Sequence, residues 1–355
     1  MKVHVYNIGQ LVTMKGVVDK DGIGVTAEDL SIVENAEMFF DNGILRFCGP
    51  TNMIAGHKPD VFVDAMGGVV VPAFTDPHTH AVFAGSRHDE FEKRSEGATY
   101  LEIAQSGGGI VASAAAVQEA SVDELALQGA KRIRRLNRHG VGAVEIKSGY
   151  GLTVESELKI LEGIQILKQQ SDTRIISTFL GAHAIPKQYK SDPDKYVDLV
   201  INEMLPAVAQ QKLADFCDVF AEDGFFTISQ SRKILLAAKK LGLGLKLHAD
   251  EFESFGGAQL AAQVGAVSAD HLLAVDDEGI NALAKADVTA VLLPGTSVFL
   301  GEGRFAPARK LIDAGVRVAL ATDLNPGSSY TENYSLIMSL ACTNLKMTVA
   351  ETLAG

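Results

Sequence analysis

Cysteine is scarce in this chain of 355 residues: only Cys48, Cys217 and Cys342 are present, far apart and without a CxxC spacing. The spacing suggests neither a disulfide framework nor a zinc ribbon. Long apolar runs are missing as well. None approaches the roughly 18–20 residues needed to span a bilayer. The start, MKVHVYNIGQ, reads as a strand and lacks the apolar core of a signal peptide. Positive charge is in deficit, since 32 Lys and Arg against 44 Asp and Glu leave a net charge of −12. Such a surface repels phosphate backbones and anionic lipid, which argues against nucleic-acid and membrane partners. Repeats and low-complexity tracts are absent. With 47% apolar and 21% charged residues, the expectation is a soluble, cytoplasmic globular protein with a large core.

The chain changes texture near residue 66. Before it lie short alternating runs: Val3–Ile8, Gly22–Val25, Met38–Phe40 and Ile44–Phe47, the last two flanking Asn42-Gly43. Asn-Gly between apolar runs is a strong hairpin signal, because both central positions favour φ > 0. Residues 1–66 therefore read as a small β module, sandwich-like and incomplete. From about Gly67 the pattern becomes strand, loop, helix, repeated through residue 355. The strand candidates are Val69–Asp76, Gly142–Lys147, Arg174–Gly181, Phe216–Phe220, Gly244–His248, Val267–His271, Val288–Leu293 and Val316–Thr322. Continuous apolar strands alternating with amphipathic helices imply a helix-covered parallel sheet. Eight such units fit an α/β fold of the (β/α)8 TIM-barrel type.

Barrel chemistry sits at the C-terminal ends of the strands. The candidates end in Asp76-Pro77-His78-Thr79-His80, Glu145-Ile146-Lys147-Ser148-Gly149-Tyr150, Gly181-Ala182-His183, His248-Ala249-Asp250-Glu251, Asp270-His271 and Asp323-Leu324-Asn325. Five of the nine histidines fall at these ends, while His4, His57, His88 and His139 lie elsewhere. His78 and His80, two apart on a strand, project to the same face. Imidazole suits Zn²⁺ or Fe²⁺, and a further histidine and a carboxylate, His248 and Asp323, complete a site with room for water. His271 reads as a hydrogen-bonding or proton-transfer residue, although a fifth ligand is open to it. His183, at a third strand end, reads as a substrate contact. Gly107–Gly109 reads as a loop before a helix.

The run PAFTDPHTHAVFAGSRHDEFEKR, followed by SGGGI, EIKSGYGL, TFLGAHAIP, LHADEF, SADHL and ATDLNPGSS, closely resembles the imidazolonepropionase family of the amidohydrolase superfamily. The likeness covers essentially the whole chain. The Arg in FAGSR, the EIKSGYG segment and the NPGSS tail narrow it to that family. The resemblance implies metal-dependent hydrolysis of 4-imidazolone-5-propanoate to N-formimidoyl-L-glutamate in histidine degradation. It implies one divalent or iron ion per chain (Zn or Fe) on His78, His80, His248 and Asp323. Arg87, Tyr150, His183 and Glu251 become substrate contacts, and Asn325, Gly327 and Ser328 match positions that hold substrate or product. The partner is then a small anionic imidazolone, and a homodimer fits the family.

The chemistry makes sense of these residues independently. Hydrolysing a cyclic amide needs a nucleophile stronger than neutral water, which a bound divalent ion provides by acidifying its water. Asp323 or His271 would accept the proton, and Glu251 would orient the water or protonate the leaving nitrogen. Arg87 offers a planar fork for a carboxylate, with a salt bridge to Asp89 or Glu90 as its plainer role. Binuclear relatives bridge two metals with a modified lysine from the fourth strand; here that strand runs into Ala221-Glu222-Asp223-Gly224. One metal is expected, with Lys147 in ion pairs near the rim. The competing readings are a deaminase of a nucleobase or related heterocycle, and an inactive truncated metal-binding fragment. Family members continue beyond the helical run Glu332–Met347 into strands that pair with the N-terminal module. On that reading the partner strands are missing after residue 355, and the chain should be less stable than an extended form.

Overall fold

The computed structural model describes residues 1–53, 58–98, 102–103, 107–301 and 303–355; His57 lies outside the described residues. Two compact units are present, Met1–Ala73 with Thr348–Ala354, and Phe74–Met347 with Gly355. No helix among the described residues is long and apolar enough to cross a membrane.

The first unit is a five-stranded sheet of β1 (Lys2–Val12), β2 (Ile32–Asp41), β3 (Ile44–Pro50), β4 (Val61–Asp64) and β5 (Val69–Val70). β2 and β3 form the expected hairpin, with Asn42 and Gly43 at φ 51° and 78°. β1 pairs antiparallel with β2 and parallel with β4 and β5. Two expectations fail here. Gly22–Val25 is no strand; it is a turn that tucks Val25 into a cluster with Val12, Val17, Leu30 and Ala350. Val69–Asp76 is not one strand either. Val69 and Val70 join β1, and Pro72, which has no N–H to donate, separates them from the first barrel strand.

The second unit holds eight parallel strands in chain order: β6 (Phe74–Thr79), β7 (Val141–Lys147), β8 (Arg174–Ala182), β9 (Phe216–Ala221), β10 (Gly244–Ala249), β11 (Ser268–His271), β12 (Thr289–Leu292) and β13 (Val318–Leu320). A bridge between Thr79 and Leu324 brings the last strand's continuation back to the first. The Asp323 N–H donates to His78 O (3.0 Å), and the His80 N–H donates to Leu324 O (2.8 Å). The nearly closed barrel thus joins at the two segments that carry His78, His80 and Asp323.

The helices arise from local signals. Ser121 and Glu124 form a capping box that starts Val122–Arg138, whose buried stripe is Leu125, Ala126, Ile133 and Leu136. Gly129 in that helix is required by packing, since a Cβ there would lie 2.7 Å from Leu167 Cδ1 and 2.9 Å from Val82 Cγ2. The helix starting at Pro193 runs through a wider π turn at Val200–Met204 into Leu205–Gln211. Gly107–Gly109 is a loop leading into the helix Ile110–Glu119, as expected.

Candidate active site

The strands deliver their last residues to one end of the barrel, and several then bend sharply. Asp250, His271, Leu272 and Asp323 take φ of 50°, 81°, 60° and 51°. Asp tolerates this left-handed backbone, but at His271 and Leu272 it is strained and must be offset by the surrounding structure.

One cleft at that end is lined by His80, Arg87, Tyr150, His183, His248, Glu251, His271, Asp323, Asn325 and Ser328. Its apolar walls come from Ile110, Phe220, Phe252 and Leu300. The structure therefore brings together nearly every residue singled out above. His78 lies beneath, fully buried, and Gly327 sits behind Arg87.

His78, His80 and Asp323 have donor atoms within 4.8 Å of one another. His248 joins them through two further groups of the same tightness, with His78 and His271, and with His80 and His183. Asp323 Oδ1 lies 3.4 Å from His78 Nε2 and 3.7 Å from His80 Nε2. Its other oxygen accepts from Thr296 Oγ1 at 2.6 Å. Two imidazoles are held from behind: His78 Nδ1 meets Asp270 Oδ2 at 2.6 Å, and His248 Nδ1 meets Asp218 Oδ1 at 3.1 Å. A ring that donates from Nδ1 keeps its Nε2 lone pair for a metal.

The donor set fits a divalent ion. His78 Nε2, His80 Nδ1, His248 Nε2 and His271 Nδ1 are buried without a hydrogen-bond partner among the described residues. Each such orphan costs about 1–3 kcal/mol unless something satisfies it. Burial, reinforced by neighbouring positive charge, holds His78, His80 and His271 well below the usual 6.5, and His183 at about 3. The rings are therefore neutral at pH 7, as ligation requires. Burial raises Asp323 to about 6, a cost that a bound cation would reverse.

Around these donors sit the other candidates. Tyr150 is buried, with ring centroids 5.3 Å from His80 and 5.2 Å from His183. Its loop is pinned by the buried Glu157, which accepts from Gly149, Gly151 and Leu152 N–H at 2.9, 2.7 and 2.9 Å. His183 stacks on His80 at 5.0 Å, and its Nδ1 lies 3.0 Å from Gly149 O. Glu251 Oε1 lies 3.6 Å from His271 Nδ1. The Asn325 amide donates to Asp323 O and Ser328 Oγ, and it accepts from Gly327 and Ser328 N–H. Its side chain thus shapes the loop that follows Asp323.

Arg87 has the plainer of its expected roles, an ion pair with Glu90, while lining the cleft. Its Nε and Nη2 donate to Glu90 at 2.9 and 2.7 Å. Glu90 is buried and also accepts from Gly109 N–H at 2.8 Å. Gly327 is required beside it, since a Cβ there would lie 2.1 Å from Arg87 Cζ. Lys147 needs correction. It is not near the rim but fully buried inside the barrel, among Glu145, Asp218 and Asp270.

Several contributors had no expected role. Asp218 and Asp270 hold the imidazoles, and Thr296 holds Asp323. Glu222 accepts the N–H groups of Glu251, Phe252 and Glu253 at 2.8, 3.1 and 3.3 Å, which fixes the loop after β10. The available signal was a carboxylate inside an apolar strand, as in Phe216-Cys217-Asp218-Val219-Phe220. An inward-facing charge of that kind needs a partner.

No family profile matches the chain. The imidazolonepropionase of Brevibacillus brevis is 49% identical over 358 residues, covering 99% of this chain and 84% of that protein. That of Geobacillus kaustophilus is 49% identical over 351 residues, covering 98% and 82%. Among solved structures, a 5-methylcytosine deaminase from Klebsiella pneumoniae matches with TM-score 0.69 at 16% identity, covering 98% of this chain and 81% of that one. A zinc-bound adenosine deaminase from Xanthomonas campestris matches with TM-score 0.67 at 17% identity, covering 97% and 74%. At such identities the structures establish the shared barrel fold, whereas the sequence relatives establish the family. The chain belongs to the imidazolonepropionase family.

Proposed function

We propose that this protein hydrolyses the cyclic amide of 4-imidazolone-5-propanoate to N-formimidoyl-L-glutamate, a step of histidine degradation. The observation that carries the reading is the convergence, in one cleft, of buried imidazole nitrogens without a partner among the described residues, Asp323 and the guanidinium of Arg87. This supports reading the donors as a hydrolytic centre and the neighbouring guanidinium as a carboxylate reader. His78, His80, His248 and Asp323 would hold one divalent ion, Zn²⁺ or Fe²⁺, both of which suit this nitrogen and oxygen donor set. When bound, such an ion lowers the pKa of its water toward about 7. The chain's own residues supply the rest. Arg87 binds the propionate, and Tyr150 and His183 form a wall for the ring. The loop from Asn325 to Ser328, shaped by the Asn325 amide, closes the carboxylate end. His271 takes the water's proton and, because burial disfavours its charged form, holds it only in passing. Glu251, whose Oε1 lies 3.6 Å from His271 Nδ1, takes that proton over and delivers it to the leaving ring nitrogen as the C–N bond breaks, so the water's proton ends on the product amine.

The test pairs two rings. Purified protein should turn over the propionate-bearing imidazolone, lose that activity with a chelator, and act far less on a neutral ring. Preferential deamination of a neutral heterocycle would favour the deaminase reading. Absence of turnover on either ring would favour a metal-binding role without this catalysis.

A pH dependence follows from the buried histidines. His183 in the folded chain lies at about 3, below its usual 6.5. Its contribution to stability is therefore complete above pH 6.5 and is lost as pH falls through that window toward 3. In chelated protein, Tm should decline as pH drops below about 6.5, and His183→Gln should blunt the decline, since glutamine cannot take up a proton there. Parallel profiles for the two proteins, measured by calorimetry, would refute the assignment.

A further inference from the structure

Beneath the cleft, inside the barrel, lies a charged group that the chemistry above does not use. Lys147 at the end of β7 is fully buried. Its Nζ donates to Glu145 Oε1 at 2.9 Å, to Asp218 Oδ2 at 2.8 Å and to Asp270 Oδ2 at 3.4 Å. Small barrels usually fill this space with branched apolar side chains, so a lysine gripping three carboxylates calls for an explanation.

Two of those carboxylates also touch imidazoles. Asp218 Oδ1 meets His248 Nδ1 at 3.1 Å and Asp270 Oδ2 meets His78 Nδ1 at 2.6 Å. We propose that Lys147 is a positioning residue for the ion site: one ammonium, by fixing Asp218 and Asp270 on two different strands, sets the orientation of His248 and His78 together. The inference rests on reading these two histidines as ligands. Carboxylates that orient a ligating histidine are part of a metal site, and altering them typically weakens metal binding about 10- to 100-fold. Lys147 stands one step behind, linked to both.

The two arms differ in how much they rely on it. Asp270 is also held by Ser268 Oγ, at 2.6 Å, and Lys246 Nζ lies 3.6 Å away. Asp218, by contrast, has Lys147 on Oδ2 and otherwise faces His248 itself, whose backbone N–H donates to Oδ1 and whose ring lies 3.1 Å from both oxygens. Loss of Lys147 should therefore loosen His248 more than His78, and the effect should run through Asp218.

The experiment is an equilibrium competition between Zn²⁺-loaded protein and a chelator of known affinity. It compares the parent protein, Lys147→Met, Asp218→Asn, the double variant and His248→Ala, each checked for its fold by circular dichroism. Lys147→Met should bind Zn²⁺ about 10- to 100-fold more weakly, and Asp218→Asn should do likewise. The double variant should lose far less than the product of the two, because both act along one path. A folded Lys147→Met with parental affinity would overturn the inference, leaving Lys147 as a balance of buried charge that affects Tm alone. Multiplying losses in the double variant would overturn it too. If Lys147→Met does not fold, Lys147→Gln, whose amide still donates to Asp218, takes its place with a smaller loss expected and parental affinity again overturning it. His248→Ala separates the layers: if it also binds Zn²⁺ normally, the ligand reading itself has failed.

Discussion

His248→Ala should emerge from purification without a bound ion and with turnover reduced to background. His248 contributes to two of the three tight donor groups, and its Nε2 is buried without a partner among the described residues. Alanine removes that donor while leaving Asp218 and Lys147 behind it. With one ligand of four gone, affinity and water activation fall together. Without an ion, the pKa of water returns from about 7 toward its bulk value of about 15.7, so almost no hydroxide is available at neutral pH. His88, which is exposed and outside the cleft, supplies the control, and His88→Ala should retain both ion and activity. Elemental analysis alongside the assay decides the matter. A stoichiometric ion in His248→Ala would mean that His78, His80 and Asp323, the tight group without His248, suffice, and the ligand set proposed above would be wrong.

Much of this arrangement was legible because burial in a parallel barrel leaves a coarse record. Most barrel strands are largely apolar and run into histidines or carboxylates at their ends, β12 with its Leu293-Pro294 end being an exception. The period-two spacing of His78 and His80 survives as geometry, with ring centroids 5.5 Å apart. Contacts between distant segments left no such record. Asp270 meets His78 across 192 positions and Asp218 meets Lys147 across 71, and no local propensity encodes either pairing. Lys147 looked like a rim residue because lysine is rarely buried without partners; three carboxylates from three strands reverse that expectation. Gly22–Val25 looked like a strand by composition, but its glycines serve a turn that inserts Val25 into the small core. The left-handed backbone at Asp323 and His271 is likewise a product of the assembled barrel.

Arg87→Met should lower kcat/KM for the propionate-bearing substrate by about ten- to over a hundredfold, the equivalent of roughly 1.5–3 kcal/mol for a lost charge-assisted contact. The single variant alone is ambiguous, because Arg87 also neutralises the buried Glu90 through two hydrogen bonds. Removing the guanidinium strands that carboxylate beside Gly109 N–H, with Arg94 Nη1 3.9 Å away. Breaking a buried pair in this way destabilises more than deleting both partners. The loop at Gly107–Gly109 would then shift for reasons unrelated to substrate. Arg87→Met/Glu90→Gln removes that complication by taking away both charges. In the double variant, Tm should recover relative to Arg87→Met while the loss on the propionate-bearing ring persists. A ring lacking the carboxylate should change only a few-fold at most, since it never used the guanidinium. If both rings suffer equally in the double variant, Arg87 serves to hold Glu90 and the Gly327 loop in place, and the carboxylate is read elsewhere.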